Sequence, residues 1–142
     1  MILRKNFPLK VILILLLSSI IYSCNKKNEN SGMIIEKLEK LRKAPKFKQE
    51  GLYPGLANEQ QREALSKKLD EVIDEFKKGA KNGYNNKQYQ DLMRKNISKF
   101  DSFNLDTEDR EYICGFFERI MDVIGLKSSG GILNEWLYGK RF

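Results

Sequence analysis

The sequence predicts an all-α protein, a compact bundle of about five helices that follows a cleaved leader and a short tether. Three observations carry this. Apolar residues recur at helical spacing in successive segments from Met33 onward. Helix-capping side chains, a proline and glycines mark the ends of those segments. The apolar–polar alternation of a half-buried strand is weak throughout, including around Asn82-Gly83, which reads better as a helix–helix connection than as a hairpin.

The leader comes first. Arg4, Lys5 and Lys10 form a positive start, and an apolar run from Val11 to Leu17 extends past Ser18 and Ser19 to Ile21. That length suits a signal peptide and falls short of the ~20 apolar residues of a membrane-spanning helix. The run closes on Ile21-Tyr22-Ser23-Cys24. This resembles the lipobox of bacterial lipoproteins, with an aliphatic residue three before the cysteine and a small one just before it; Tyr22 departs from the usual small or aliphatic residue. The resemblance implies cleavage after residue 23, a diacylglycerol thioether on Cys24, acylation of the new amino group, and a bilayer as the first partner. Residues 1–23 are thus expected to be the signal peptide, 24–32 the lipidated Cys24 and a polar tether, and 33–142 a single helical domain. The eight tether residues from Asn25 to Gly32 would reach at most roughly 26–29 Å.

Within the domain, Ile34, Leu38 and Leu41 give the first helix, ended by Pro45. Leu52, Tyr53 and Leu56 flank Pro54-Gly55, the central pair of a type II turn, and are expected to pin the long 44–58 connection to the core. Asn58 reads as an N-cap with Gln61 as its capping-box partner, ahead of a helix bearing Leu65, Leu69, Val72, Ile73 and Phe76 and stopped at Gly79. Residues 86–100 repeat the pattern with Tyr89, Leu92, Met93, Ile97 and Phe100. Asp106 caps a helix over 107–124, and Ser128 or Ser129 caps a last one carrying Ile132, Leu133, Trp136 and Leu137. On the helix from 107, Ile113, Phe117, Ile120 and Ile124 fall within about 60° of each other. Neighbouring apolar residues widen the arc to roughly 200°, so this helix is expected at the centre of the bundle.

Composition excludes much chemistry. The chain holds no histidine, which removes imidazole acid–base catalysis, Ser-His-Asp triads and histidine metal sites. Of its two cysteines, Cys24 is assigned to lipid, which leaves Cys114 without an intrachain partner and reads it as a buried small hydrophobe. The net charge of +7 falls to +4 once the leader is removed, with 23 Lys/Arg against 19 Asp/Glu. That favours anionic surfaces and is too mild and too mixed for nucleic acid. No cofactor is expected.

Several segments invite a sharper reading. Gly125 to Gly130 begins like a phosphate loop, but Gly131 and Ile132 stand where Lys and Ser/Thr are needed, so a tight turn with serine caps is preferred. Asp101, Asp106, Glu108, Asp109 and Glu111 crowd a helix start; their spacing fails an EF-hand, and capping explains most of them. Lys40, Lys43 and Lys46 belong to a basic stretch over 37–48 that could meet anionic headgroups or another partner. Trp136 and Tyr138 read as core rim with an exposed contact face.

Gly51 to Leu56, Asp106 to Glu111 and Gly130 to Gly139 together resemble a small bacterial domain family of unknown function, the one numbered 4844. The resemblance covers most of the chain beyond the leader. It implies a compact helical domain and supplies no catalytic residue. The expectation is therefore a lipid-anchored envelope protein whose domain binds a partner, as an inhibitor or immunity protein would, and catalyses nothing. The alternative is an envelope hydrolase working through two carboxylates across a cleft.

Overall fold

A computed structural model describes residues 29–139. The leader and Cys24 lie outside the described residues. Helix α1 spans residues 29–43, α2 Glu59–Asn82, α3 Asn86–Ile97, α4 Thr107–Ile124 and α5 Ile132–Tyr138, with a 3₁₀ turn at Ser98–Phe100 after α3. Among the described residues there is no strand, only an isolated bridge between Glu50 and Tyr53. The all-α bundle is as the sequence predicts.

α1 starts earlier than Met33, because residues 29–32, read as tether, already turn as helix. Ser31 Oγ donates to the Ala80 carbonyl at 3.1 Å, fastening the start of α1 to the end of α2. At its other end α1 is closed by Lys46. This residue is only 7% exposed, so it is not part of an exposed basic contact. Its ammonium pairs with Asp70 at 2.9 Å and donates to the carbonyls of Arg42 and Ala44. A cation placed on the last carbonyls of a helix satisfies groups that have no intrahelical donor.

The 44–58 connection is pinned by a residue the sequence did not single out. Phe47 is fully buried, and its amide donates to the Tyr112 hydroxyl at 3.0 Å. Its φ of 53° is unfavourable for a side chain with a Cβ and is held by that burial and bond. Gly55 takes the positive φ that a type II turn demands, but the Leu56 amide donates to the Phe47 carbonyl. A Cβ on Gly55 would sit 2.8 Å from the Gln49 amide nitrogen, so only glycine fits. Tyr53 and Leu56 pack on the core as expected, whereas Leu52 is 103% exposed and pins nothing.

α2 runs through Gly79 and ends one turn later at Gly83, whose φ of 68° forms the left-handed cap. Gly79 serves packing: an added Cβ would lie 3.0 Å from ring carbons of both Tyr84 and Tyr89. Asn58 caps α2 by accepting from the Gln61 amide, but the Gln61 side chain reaches the Asn104 carbonyl, and the full capping box forms instead at Asn85 and Gln88 on α3. Asp106 caps α4 through the Asp109 amide, as predicted. α5 is preceded by Gly131 at its N-cap, with no side-chain cap bond; Ser128 Oγ accepts from the Gly130 amide inside the preceding turn. α4 is the central helix, burying Tyr112, Ile113, Cys114, Phe116, Phe117 and Ile120.

A polar cluster ties α2 to α3. Glu75 accepts from Lys99 at 2.6 Å, Lys95 at 3.0 Å and Asn96 at 3.2 Å. Burial alone would raise the Glu75 pKa, but these three donors outweigh it and hold the carboxyl at about 2. A carboxyl depressed in the fold contributes stability above its unfolded pKa and loses it as pH falls toward the folded value. Glu75→Gln should therefore cost about 2–3 kcal/mol at neutral pH. Urea melts at pH 7 and near pH 2 check this: the deficit should shrink at the acid end, and an equal deficit at both would assign it to packing.

Candidate functional site

Two regions gather the chemistry. The first surrounds the opening turn of α4. Asp109, buried to 5% exposure, accepts from the Tyr53 hydroxyl at 2.6 Å. Burial raises the Asp109 pKa, and burial followed by the bond to Asp109 raises that of Tyr53. Tyr53 stacks on Tyr112 with centroids 4.6 Å apart. The next residue, Arg110, turns the other way. Its guanidinium lies 4.1 Å from the centre of the Trp136 ring and donates to the Trp136 carbonyl. The indole nitrogen donates to Asp101 at 2.6 Å. A cavity of about 290 Å³ lies beside this arrangement, lined by Arg94, Ile97, Ser98, Asp101, Arg110, Ile132, Glu135 and Trp136. Tyr138, 63% exposed, follows on the same helix.

The three segments that carry the family resemblance thus meet. Asp109 joins the middle segment to Tyr53 in the first, and Arg110 joins it to Trp136 in the last. Sequence reasoning named Asp101, Asp109 and Trp136 separately and missed Tyr53 and Arg110 as their partners. Contacts spanning 26 to 56 positions leave no local signal.

The second region is a trough between α1 and α2, made of two adjoining cavities of about 390 and 600 Å³ that share Gly32, Ile35 and Lys77. Lys40 and Lys43, both exposed candidate contact residues, line it together with Lys77, Lys78 and Lys81. Glu36, Glu39 and Asp74 are the acids facing them. Lys77 is held by Glu39 at 2.7 Å and Asp74 at 3.4 Å. The i, i+1, i+4 spacing of Lys77, Lys78 and Lys81 places them on one side of α2, a signal the sequence offered, but their meeting with Lys40 and Lys43 needs the helix pairing.

Cys114 lies under α5, with Sγ 3.8 Å from the Leu133 carbonyl, and burial pushes its thiol up to about 11. A thiol so raised is protonated at neutral pH and inert as a nucleophile. Among the described residues no group of three or more acidic or cysteine side chains is placed to hold a metal ion, and no helix is long and apolar enough to cross a membrane.

The profile of a family described as "Domain of unknown function (DUF4844)" matches residues 26–141. The chain belongs to the DUF4844 family. The DUF4844 domain is also similar to a solved structure, a DUF3571 family protein from Acinetobacter baumannii. The two are 34% identical with a TM-score of 0.74, over 78% of this chain and 93% of that one. No curated protein matches the chain. The DUF4844 match takes in both regions described above, and the families found are of unknown function.

Proposed function

We propose that this DUF4844 protein is held at a bacterial envelope membrane through acylated Cys24, and that its domain works there by binding a partner without catalysing a reaction. The observation that carries the binding reading is that three of the five acids crowded at the start of α4 are committed to structural bonds. Asp101 accepts from the Trp136 indole, Asp106 caps α4, and Asp109 accepts from Tyr53. Exposed Tyr138, on the same helix as Trp136, and exposed Lys40 and Lys43 in the trough offer the contact surface. An anchor raises the effective concentration of the domain near its target, so modest affinity suffices.

The competing reading, an envelope hydrolase with paired carboxylates, draws on one observation: Asp109 is a buried carboxyl with a raised pKa, as acid–base groups in active sites often are. An assay of the purified chain on envelope glycans, peptides and esters separates the two. The expected result is no turnover above the rate without protein. Turnover that falls by about 100-fold or more in Asp109→Asn or Asp101→Asn would establish the hydrolase.

A further inference from the structure

We propose that the end of the bundle formed by the start of α1 and the end of α2 rests on the bilayer, with Lys78 and Lys81 on anionic lipid headgroups and Met33 at the interface. This rests on the reading of Cys24 as the anchor. α1 begins at residue 29, five residues beyond Cys24. Five residues of chain reach at most about 18 Å. The bond from Ser31 to the Ala80 carbonyl then fixes which part of the domain that short reach holds near the membrane: the last turns of α2.

The side chains there suit a lipid surface. Lys78 and Lys81 are exposed and have no ion-pair or hydrogen-bond partner among the described residues, whereas Lys77 is taken by Glu39 and Asp74. Both line the larger cavity of the trough, about 600 Å³, with Ile35 beside them as an apolar wall. Met33, 54% exposed on α1, is one of the few large apolar residues left in solvent. Lysines whose stems cross apolar surface while their ammonium groups reach phosphate, with an exposed methionine on the first turns of the neighbouring α1, are the elements of an interfacial contact. Lys26 and Lys27, between Cys24 and α1, add charge of the same sign. The exposed Leu52 lies past the far end of α1, in the connection that follows it. One helix of this length separates the two ends by about 20 Å.

The test uses the full acylated chain in vesicles of phosphatidylcholine with or without phosphatidylglycerol. Fluorophores are placed by Met33→Cys, Asn82→Cys or Leu52→Cys in a Cys114→Ala background, and quenched by lipids carrying a spin label on the headgroup; Cys114 is the one other free thiol among the described residues. Quenching should be several-fold stronger at positions 33 and 82 than at 52. The difference should shrink without phosphatidylglycerol, at high salt, and in the Lys78→Glu, Lys81→Glu double variant. Equal quenching at all three positions, or stronger quenching at 52, overturns the orientation while leaving the anchor intact. A difference that ignores lipid charge overturns the headgroup contact. A chain that fails to float with vesicles removes anchor and orientation together.

Discussion

Replacing Phe117 with alanine is expected to cost about 3–5 kcal/mol, the largest single loss in the domain. Phe117 is fully buried on the central helix and meets two other rings edge-on, Phe76 and Phe100, each with centroids 6.4 Å apart. Its removal leaves a cavity between α2, the turn after α3 and α4, and it also loses edge-to-face contacts worth about 0.5–1.5 kcal/mol each beyond their area. Domains of this size have total stabilities of about 5–15 kcal/mol, so the variant should be marginal at physiological temperature. Leu52→Ala is the internal control: that side chain is fully solvent-exposed. It should change stability by less than about 0.5 kcal/mol. Chemical denaturation of both variants checks the pair, and a Phe117→Ala loss no greater than that of Leu52→Ala would contradict the central place of α4.

The largest functional effect is expected from Cys24→Ala. On the proposed lipoprotein reading, two or three acyl chains would contribute about 0.8 kcal/mol for each buried methylene, so the wild type should stay wholly with membranes. The variant offers no sulfur for the thioether and should accumulate as precursor or as soluble exported protein. Membrane fractionation with labelled fatty acid reads this directly. Equal label on wild type and variant would end the lipoprotein reading.

Local rules made most of the fold legible. Helical spacing placed Leu65, Leu69, Val72, Ile73 and Phe76 on one buried face, and put Ile113, Phe117 and Ile120 on the covered side of α4. The Asp106 cap was legible because capping acts over three residues. What escaped was set by tertiary contact. Gly79 looked like a helix stop until the rings of Tyr84 and Tyr89 explained its missing Cβ. Lys46 looked like one more surface lysine in a basic run, but Asp70, on a different helix, draws it inside. The serines before α5 looked like caps, whereas consecutive glycines at positive φ turn the chain there. The candidate site was legible in its members and not in its pairings, since Tyr53 with Asp109 and Arg110 with Trp136 join residues far apart in the chain.

The placement of Cys114 gives the domain a built-in reporter of its own local opening. α5 has seven residues. An isolated helix that short does not persist in water, so its order depends on docking against α3 and α4. The thiol sits beneath it, beside the Leu133 carbonyl. Reagents can reach that sulfur only when α5 lifts or the whole domain unfolds. The rate of thiol modification, compared with global unfolding, then measures how often the last helix detaches. Because α5 also carries Trp136 and Tyr138, the same rate measures how often these two aromatic side chains leave their places on the bundle.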